Sequence, residues 1–244
     1  MDSLQKKLQR ELQQQPNLQI EKSSRWGLPV ETVNISYTTI KRTTMDILMK
    51  MMLLTIDKLP IADPKMVADF LAVDSLFAED LLEKMKRADM IRKRKGVFEL
   101  TQNGAEQLQS GIYEQAPEQK EIIMYYSACH ENILCEEKED LIKTKIEPFR
   151  LAKKQKHKMK SLHEELLRSA LLSAGVEMSE DPLQIVLDKI NPAAHISKQL
   201  IPCIEFSVYN RSENMRFTRV WNTLLDQWDE QLEKLIDQEK ASAT

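Results

Sequence analysis

The chain of 244 residues carries 35 Lys and Arg against 38 Asp and Glu, with 42% hydrophobic and 30% charged residues, enough for roughly one or two domains with a real core. No apolar run approaches the about 20 residues of a membrane-spanning helix, and the N-terminal residues MDSLQKKLQRELQQQ lack the apolar centre of a secretory signal. Three cysteines cannot all pair and point to a reducing cytoplasm, while four histidines and five glycines without a GxGxxG, P-loop or nucleophile-elbow pattern argue against an enzyme.

In chain order, residues 1–40 read as an N-terminal arm of one short helix and one strand. Leu4, Leu8 and Leu12 recur every four residues before Pro16, the stripe of a helix with a docking face. Residues 30–37 are β-branched and partly alternating, which predicts a strand, and residues 26–29 (WGLP) supply the turn before it.

From Thr43 the period becomes helical. Ile47, Leu48, Met51, Leu54 and Thr55 fall at helical spacing, with Thr43 or Thr44 as N-cap, Asp46 in the first turn and Pro60 as the stop. Asp63 and Pro64 start a second helix as cap and first-turn proline, with Met66, Val67, Phe70 and Leu71 on its apolar face. After a turn at residues 73–75, a third helix is expected to bury Phe77, Leu81, Leu82 and Met85. Met90 and Ile91 enter a strand, residues 92–96 (RKRKG) turn, and residues 97–100 return, followed by a short helix that includes Leu108.

Further on, residues 122–126 and 133–136 predict a hairpin, and residues 138–174 a long basic helix with a break near Pro148. A short helix carrying Leu183, Ile185, Val186, Leu187 and Ile190 is expected between Pro182 and Pro192. Residues 202–208 alternate as a strand, with residues 215–218 as its hairpin mate, and a terminal helix is expected from about Thr218 to Glu239.

The order helix, helix, helix, strand, basic turn, strand over residues 43–100 is what a winged helix requires. On Val67-Ala68-Asp69-Phe70-Leu71, Leu81-Leu82-Glu83-Lys84-Met85 and the L-T-x-x-G of residues 100–104, the segment resembles a bacterial winged helix-turn-helix domain of transcriptional regulators. The resemblance covers about residues 43–110. It implies that the third helix enters the major groove of double-stranded DNA while the wing approaches the backbone or minor groove. The expected fold class is therefore α+β and mainly helical. Residues 1–40 form the arm, 41–112 the winged helix-turn-helix domain, and 113–244 a C-terminal α+β region for dimerisation or sensing that ends in a long helix.

Ser75, Lys84, Lys86 and Arg87 on the third helix, with Arg92, Lys93, Arg94 and Lys95 on the wing, are the DNA-binding candidates, because cations on a tight turn release counterions from phosphates. The start of the third helix departs from the pattern. Asp74, Leu76, Phe77, Glu79 and Asp80 stand where base-reading Arg, Lys, Asn or Gln is usual, and carboxylates repel DNA. An acidic recognition helix is also what a protein-binding winged helix displays, so a scaffold or adaptor is the alternative reading. Lys153, Lys154, Lys156, Lys158 and Lys160 form a second cationic run, read either as a solvated helix face or as a second phosphate-tracking surface.

Trp221, Leu225, Trp228, Leu232 and Leu235 line the expected terminal helix at intervals of three and four, as core or as the seam of a homodimer. Cys129, His130, Cys135 and Cys203, like His157 and His163, lack the compact spacing of a zinc site. No metal, cofactor, catalytic set or membrane insertion is expected. The expected function is a cytoplasmic DNA-binding transcriptional regulator, a repressor acting by occlusion.

Overall fold

The structure, a computed structural model, describes residues 1–136, 146–153 and 162–242. Helix α1 spans Asp2–Gln13 and strand β1 Leu18–Thr44. Then come α2 (Ile47–Lys58), α3 (Pro64–Leu71), α4 (Ser75–Arg87), β2 (Ile91–Arg94), β3 (Val97–Leu100), α5 (Gln102–Ser110), β4 (Ile112–Glu114), β5 (Glu118–Ser127) and β6 (Asn132–Glu136). A 3-10 turn at Arg150–Lys153 precedes α6 (Glu164–Ser173), β7 (Met178–Glu180), β8 (Leu183–Ile190), β9 (Ala194–Asn210), β10 (Met215–Asn222), β11 (Gln227–Trp228) and α7 (Glu230–Ser242). Strand makes up 41% of the described residues and helix 36%, and nine strands join one antiparallel sheet. The expectation of a mainly helical chain is overturned: the architecture is α+β and strand-rich.

Two compact units divide the chain. The first comprises residues 1–35, 122–170 and 192–244. Its centre is the antiparallel pairing of β1 with β9, from Leu18 opposite Asn210 to Asn34 opposite Ala194. Strand β10 continues from β9, and β11 from β10. On one face of this sheet, Leu8 and Leu12 of α1 are buried against Ile204, Phe206 and Val208. On the other face, Trp26, Leu28, Val30, Ile201, Cys203 and Val220 pack against Leu232 and Ile236 of α7.

With both faces covered, the centre of β9 is buried at every position and loses its polar–apolar alternation. The WGLP segment expected to turn lies inside β1 for the same reason. Gly27 exchanges backbone hydrogen bonds with Glu147 and Phe149, and Trp26 stacks on Phe149 with ring centres 4.2 Å apart. Residues 146–149 are accordingly not helical, and the long helix expected over 138–174 is reduced, among the described residues, to α6.

The C-terminal helix is also shorter than expected, because the β-branched and aromatic residues from Thr218 to Trp221 pair with β9. Trp221 and Trp228 face each other across β10 and β11, ring centres 5.3 Å apart and edge-on. Their seven-residue spacing reflects a cross-strand pair. The single helical stripe of Trp221, Leu225, Trp228, Leu232 and Leu235 therefore does not exist: both indoles pack towards α1, while Leu232 and Leu235 serve the opposite core.

The second unit comprises residues 36–121 and 171–191. Here the end of β1 pairs with β8, from Tyr37 opposite Ile190 to Arg42 opposite Gln184, and with β4. Residues 183–190 are therefore strand, correcting the helix expected between the two prolines. Next in the chain, α2, α3 and α4, the β2–β3 hairpin and α5 enclose a core of Met49, Met52, Leu53, Val67, Leu81, Leu82, Met85, Met90 and Ile91.

Local chemistry sets the ends of these helices. Asp46 caps α2 by accepting from the Leu48 and Met49 N–H groups, displacing Thr43 and Thr44, which belong to β1. Asp63 and Asp74 cap α3 and α4. Thr101 caps α5 and also donates to the Asp89 carbonyl at 2.5 Å. Gly104 sits so close to β2 that a Cβ there would lie 1.9 Å from the Met90 carbonyl oxygen, so the position admits only glycine.

Candidate interaction surface on the second and third helices

The turn joining α3 and α4 leaves α3 through Ala72 in the left-handed conformation and enters α4 at the Asp74 cap, whose Oδ1 accepts from the Leu76 N–H at 2.8 Å and the Phe77 N–H at 3.2 Å. The cap fixes the rotation of α4 and hence what it displays. Ala78, Leu81, Leu82 and Met85 turn inward. Phe77, expected in the core, stands one position off that stripe and is 48% exposed. Leu76 is 76% exposed and Phe70 on α3 64%, with Met66 also exposed. Core space next to them is taken by the small residues Ala68 and Ala78, the signal in the sequence that could have placed Phe70 and Phe77 outside.

The acids around this apolar patch, Asp69, Asp74, Glu79 and Asp80, are exposed as well. Apolar side chains extend onto α2, where Ile47, Met51 and Leu54 form an exposed stripe at helical spacing while Met49, Met52, Leu53 and Ile56 fill the core. A helix apolar on both sides is one with two surfaces to cover.

The cations expected to meet DNA are all exposed, but they are not assembled into one surface. Lys84 pairs with Asp80 at 2.7 Å and Lys86 with Glu83 at 3.3 Å along α4. On the hairpin, Arg92 and Arg94 both lie 4.0 Å from Glu99. Lys93 stands over the Phe98 ring, 5.2 Å from its centre. The β2–β3 ladder runs through Arg94, leaving a two-residue turn of Lys95 and Gly96, both with positive φ. Ser75 is exposed at the first position of α4. Of the second cationic run, Lys154, Lys156, Lys158 and Lys160 lie outside the described residues, as does the side chain of Lys153.

A different constellation, not foreseen from the sequence, occupies the first unit. The Ser127 Oγ lies 2.8 Å from His130 Nδ1, and His130 Nε2 lies 3.0 Å from an Asp229 oxygen. These are the residue types of a hydrolytic triad, yet Ser127 is fully buried. Asp229 also accepts from Asn222 Nδ2 at 2.8 Å and from the Leu232 N–H at 3.2 Å as the cap of α7. The arrangement ties the β5–β6 turn to α7 and presents no nucleophile to solvent.

Cys129 and Cys203 lie in the same core. Burial, reinforced by the charge of Asp229, pushes the Cys129 thiol up to about 11 and that of Cys203 higher still. Among the described residues, no group of three His, Cys, Asp or Glu is placed to hold a metal ion, and no helix is long and apolar enough to cross a membrane. No protein family, curated protein or solved structure matches this chain.

Proposed function

We propose that α2 to α5 with the β2–β3 hairpin constitute a winged helix-turn-helix that binds protein, making the chain an adaptor, with DNA regulation the second reading. The observation that carries this is the surface of α3 and α4: Met66, Phe70, Leu76 and Phe77 exposed, with acids around them, where a DNA reader would present cations. Pressed into a major groove, this surface would desolvate four carboxylates against phosphates. Charge complementarity selects the occupant: an amphipathic helical segment of another protein with apolar anchors flanked by Lys or Arg. The reading places the protein in the cytoplasm.

The DNA reading keeps support from one feature, the four exposed cations of residues 92–95, of which Arg92 and Arg94 lie at 4.0 Å from the carboxylate of Glu99. Two measurements decide between them. A photo-crosslinking residue at Leu76 should capture a protein whose crosslinked segment is apolar and basic, and a Phe70→Ser change should abolish the capture. Titration with sheared genomic DNA at about 150 mM salt should give no saturable binding, because few phosphates are neutralised. Submicromolar, salt-dependent DNA binding that is lost when residues 92–95 become alanine would reverse the assignment and restore the regulator.

A further inference from the structure

Helix α2 has an uncovered face of its own. Its core side is occupied by Met49, Met52, Leu53, Thr55 and Ile56, and the Asp46 cap fixes the rotation of the helix. The exposed positions are then 46, 47, 50, 51, 54, 57 and 58, one continuous face at helical spacing. Ile47, Met51 and Leu54 run down its middle, with Ile47 70% exposed. Large apolar side chains in such a row are a surface to be covered.

The charges on this face select what covers it. Asp46, Lys50, Asp57 and Lys58 border the stripe, two of each sign. Asp46 uses Oδ1 for the cap bonds from the Leu48 and Met49 N–H groups, and Lys58 lies 2.7 Å from its neighbour Asp57. As a set they are neutral, so no net charge keeps a second copy of α2 away. The α3–α4 patch differs, because there Asp69, Asp74, Glu79 and Asp80 would meet the same acids of a copy. Direction matters as well. Side by side in parallel, each α2 charge would meet its own kind. In an antiparallel pair with the two-fold axis between Met51 and Leu54, Lys50 comes across from Asp57, and Asp46 from Lys58.

We propose that two copies of this chain associate through α2, antiparallel about that axis. Met51 of each copy packs on Leu54 of the other, Ile47 lies along the methylene stem of Lys58, and each ion pair occurs twice by symmetry. Three apolar side chains per copy make a small contact, in the class of weak and transient interfaces, so the dimer forms with a Kd on the order of 100 μM. The inference goes beyond the adaptor reading and does not rest on it, since Phe70 and Leu76 take no part.

Sedimentation equilibrium of the full chain from about 5 μM to about 1 mM should show a reversible monomer–dimer equilibrium. Met51→Glu should weaken it at least tenfold, because it places a carboxylate in the apolar centre of the contact. Lys50→Asp and Asp57→Lys should each weaken it roughly threefold to tenfold, and the double change should restore it to within about twofold of the wild type. Phe70→Ser should leave it unchanged. All of these side chains are exposed, and thermal melts check that each variant folds as the wild type does. Should Met51→Glu fail to fold, the charge exchange decides alone, since a merely destabilising change is not repaired by its mirror. A chain that stays monomeric to about 1 mM shows that the stripe serves another protein and overturns the proposal. So does a dimer that is lost on Phe70→Ser, that survives Met51→Glu, or that the exchanged pair does not restore.

Discussion

Helix α1 and the α3–α4 pair are written in a similar alphabet, with apolar residues at helical spacing among charged and polar ones, yet they end in different environments. Leu8 on α1 is 1% exposed and lies on Ile204, Phe206 and Val208. Phe70 and Leu76 have no such cover. Each helix offers the same kind of surface. The difference lies in what the rest of the chain provides: a sheet face for α1, and for α3 and α4 a core already filled by Ala68, Ala78, Leu81 and Met85. An apolar stripe on a helix therefore predicts burial against something, and only the fold says whether that something belongs to the same chain.

The largest expected effect tests the covered side of this contrast. Leu8→Ala removes a buried side chain from the α1–sheet contact and should lower stability by about 2–5 kcal/mol, read by urea unfolding of the full chain. A loss below about 0.5 kcal/mol would mean that α1 does not stay docked, and the two surfaces would then be alike.

Features written within a few residues were legible in the sequence. Asp63 and Pro64 begin α3, the basic hairpin returns at Val97, and Thr101 to Gly104 begin α5, because caps and tight turns draw on neighbours only. Strand β1 was legible over residues 30–37 alone. Its partner β9 lies between 160 residues away (Asn34 with Ala194) and 192 (Leu18 with Asn210), and a strand covered on both faces shows no alternation. Trp221 and Trp228 misled for a related reason, since a hairpin and a heptad can place two residues seven apart equally well. At the candidate site the cations were legible, whereas their pairing with Asp80, Glu83 and Glu99 was not, because it depends on rotamers that the fold selects.

The next contrast concerns two aspartates with the same local task. Asp74 caps α4 in solvent, and Asp229 caps α7 while buried. Asp74→Ala should cost about 1 kcal/mol, an ordinary cap. Asp229→Asn should cost about 1–3 kcal/mol, because His130 and Asn222 lose a charged buried acceptor. The two also differ with pH. Burial alone would raise the Asp229 carboxyl, but hydrogen bonds from His130, Asn222 and the Leu232 N–H outweigh it and hold the group below its ordinary 3.8. A carboxyl depressed in the folded state contributes stability that is full above 3.8 and lost as pH falls through the lower folded value. The gap between wild type and Asp229→Asn in urea unfolding should thus narrow as pH falls below about 4. A gap that widens on acidification would show that Asp229 carries no folded-state depression.

The smallest expected effect concerns the uncovered patch. Phe70→Ser and Leu76→Ser should change stability by no more than about 0.5 kcal/mol, because each side chain already meets water in the free protein. That near-zero result is what separates them from Leu8, and it makes the pair usable in cells, where a loss of partner capture cannot then be assigned to unfolding. If the patch is an anchor for a partner, truncating a central aromatic costs more than about 2 kcal/mol of binding, roughly thirtyfold in Kd, while the melting curve of the free chain stays in place. Should Phe70→Ser instead destabilise the free chain by about 2 kcal/mol or more, Phe70 would be a packed residue of this protein, and the contrast with α1 would disappear.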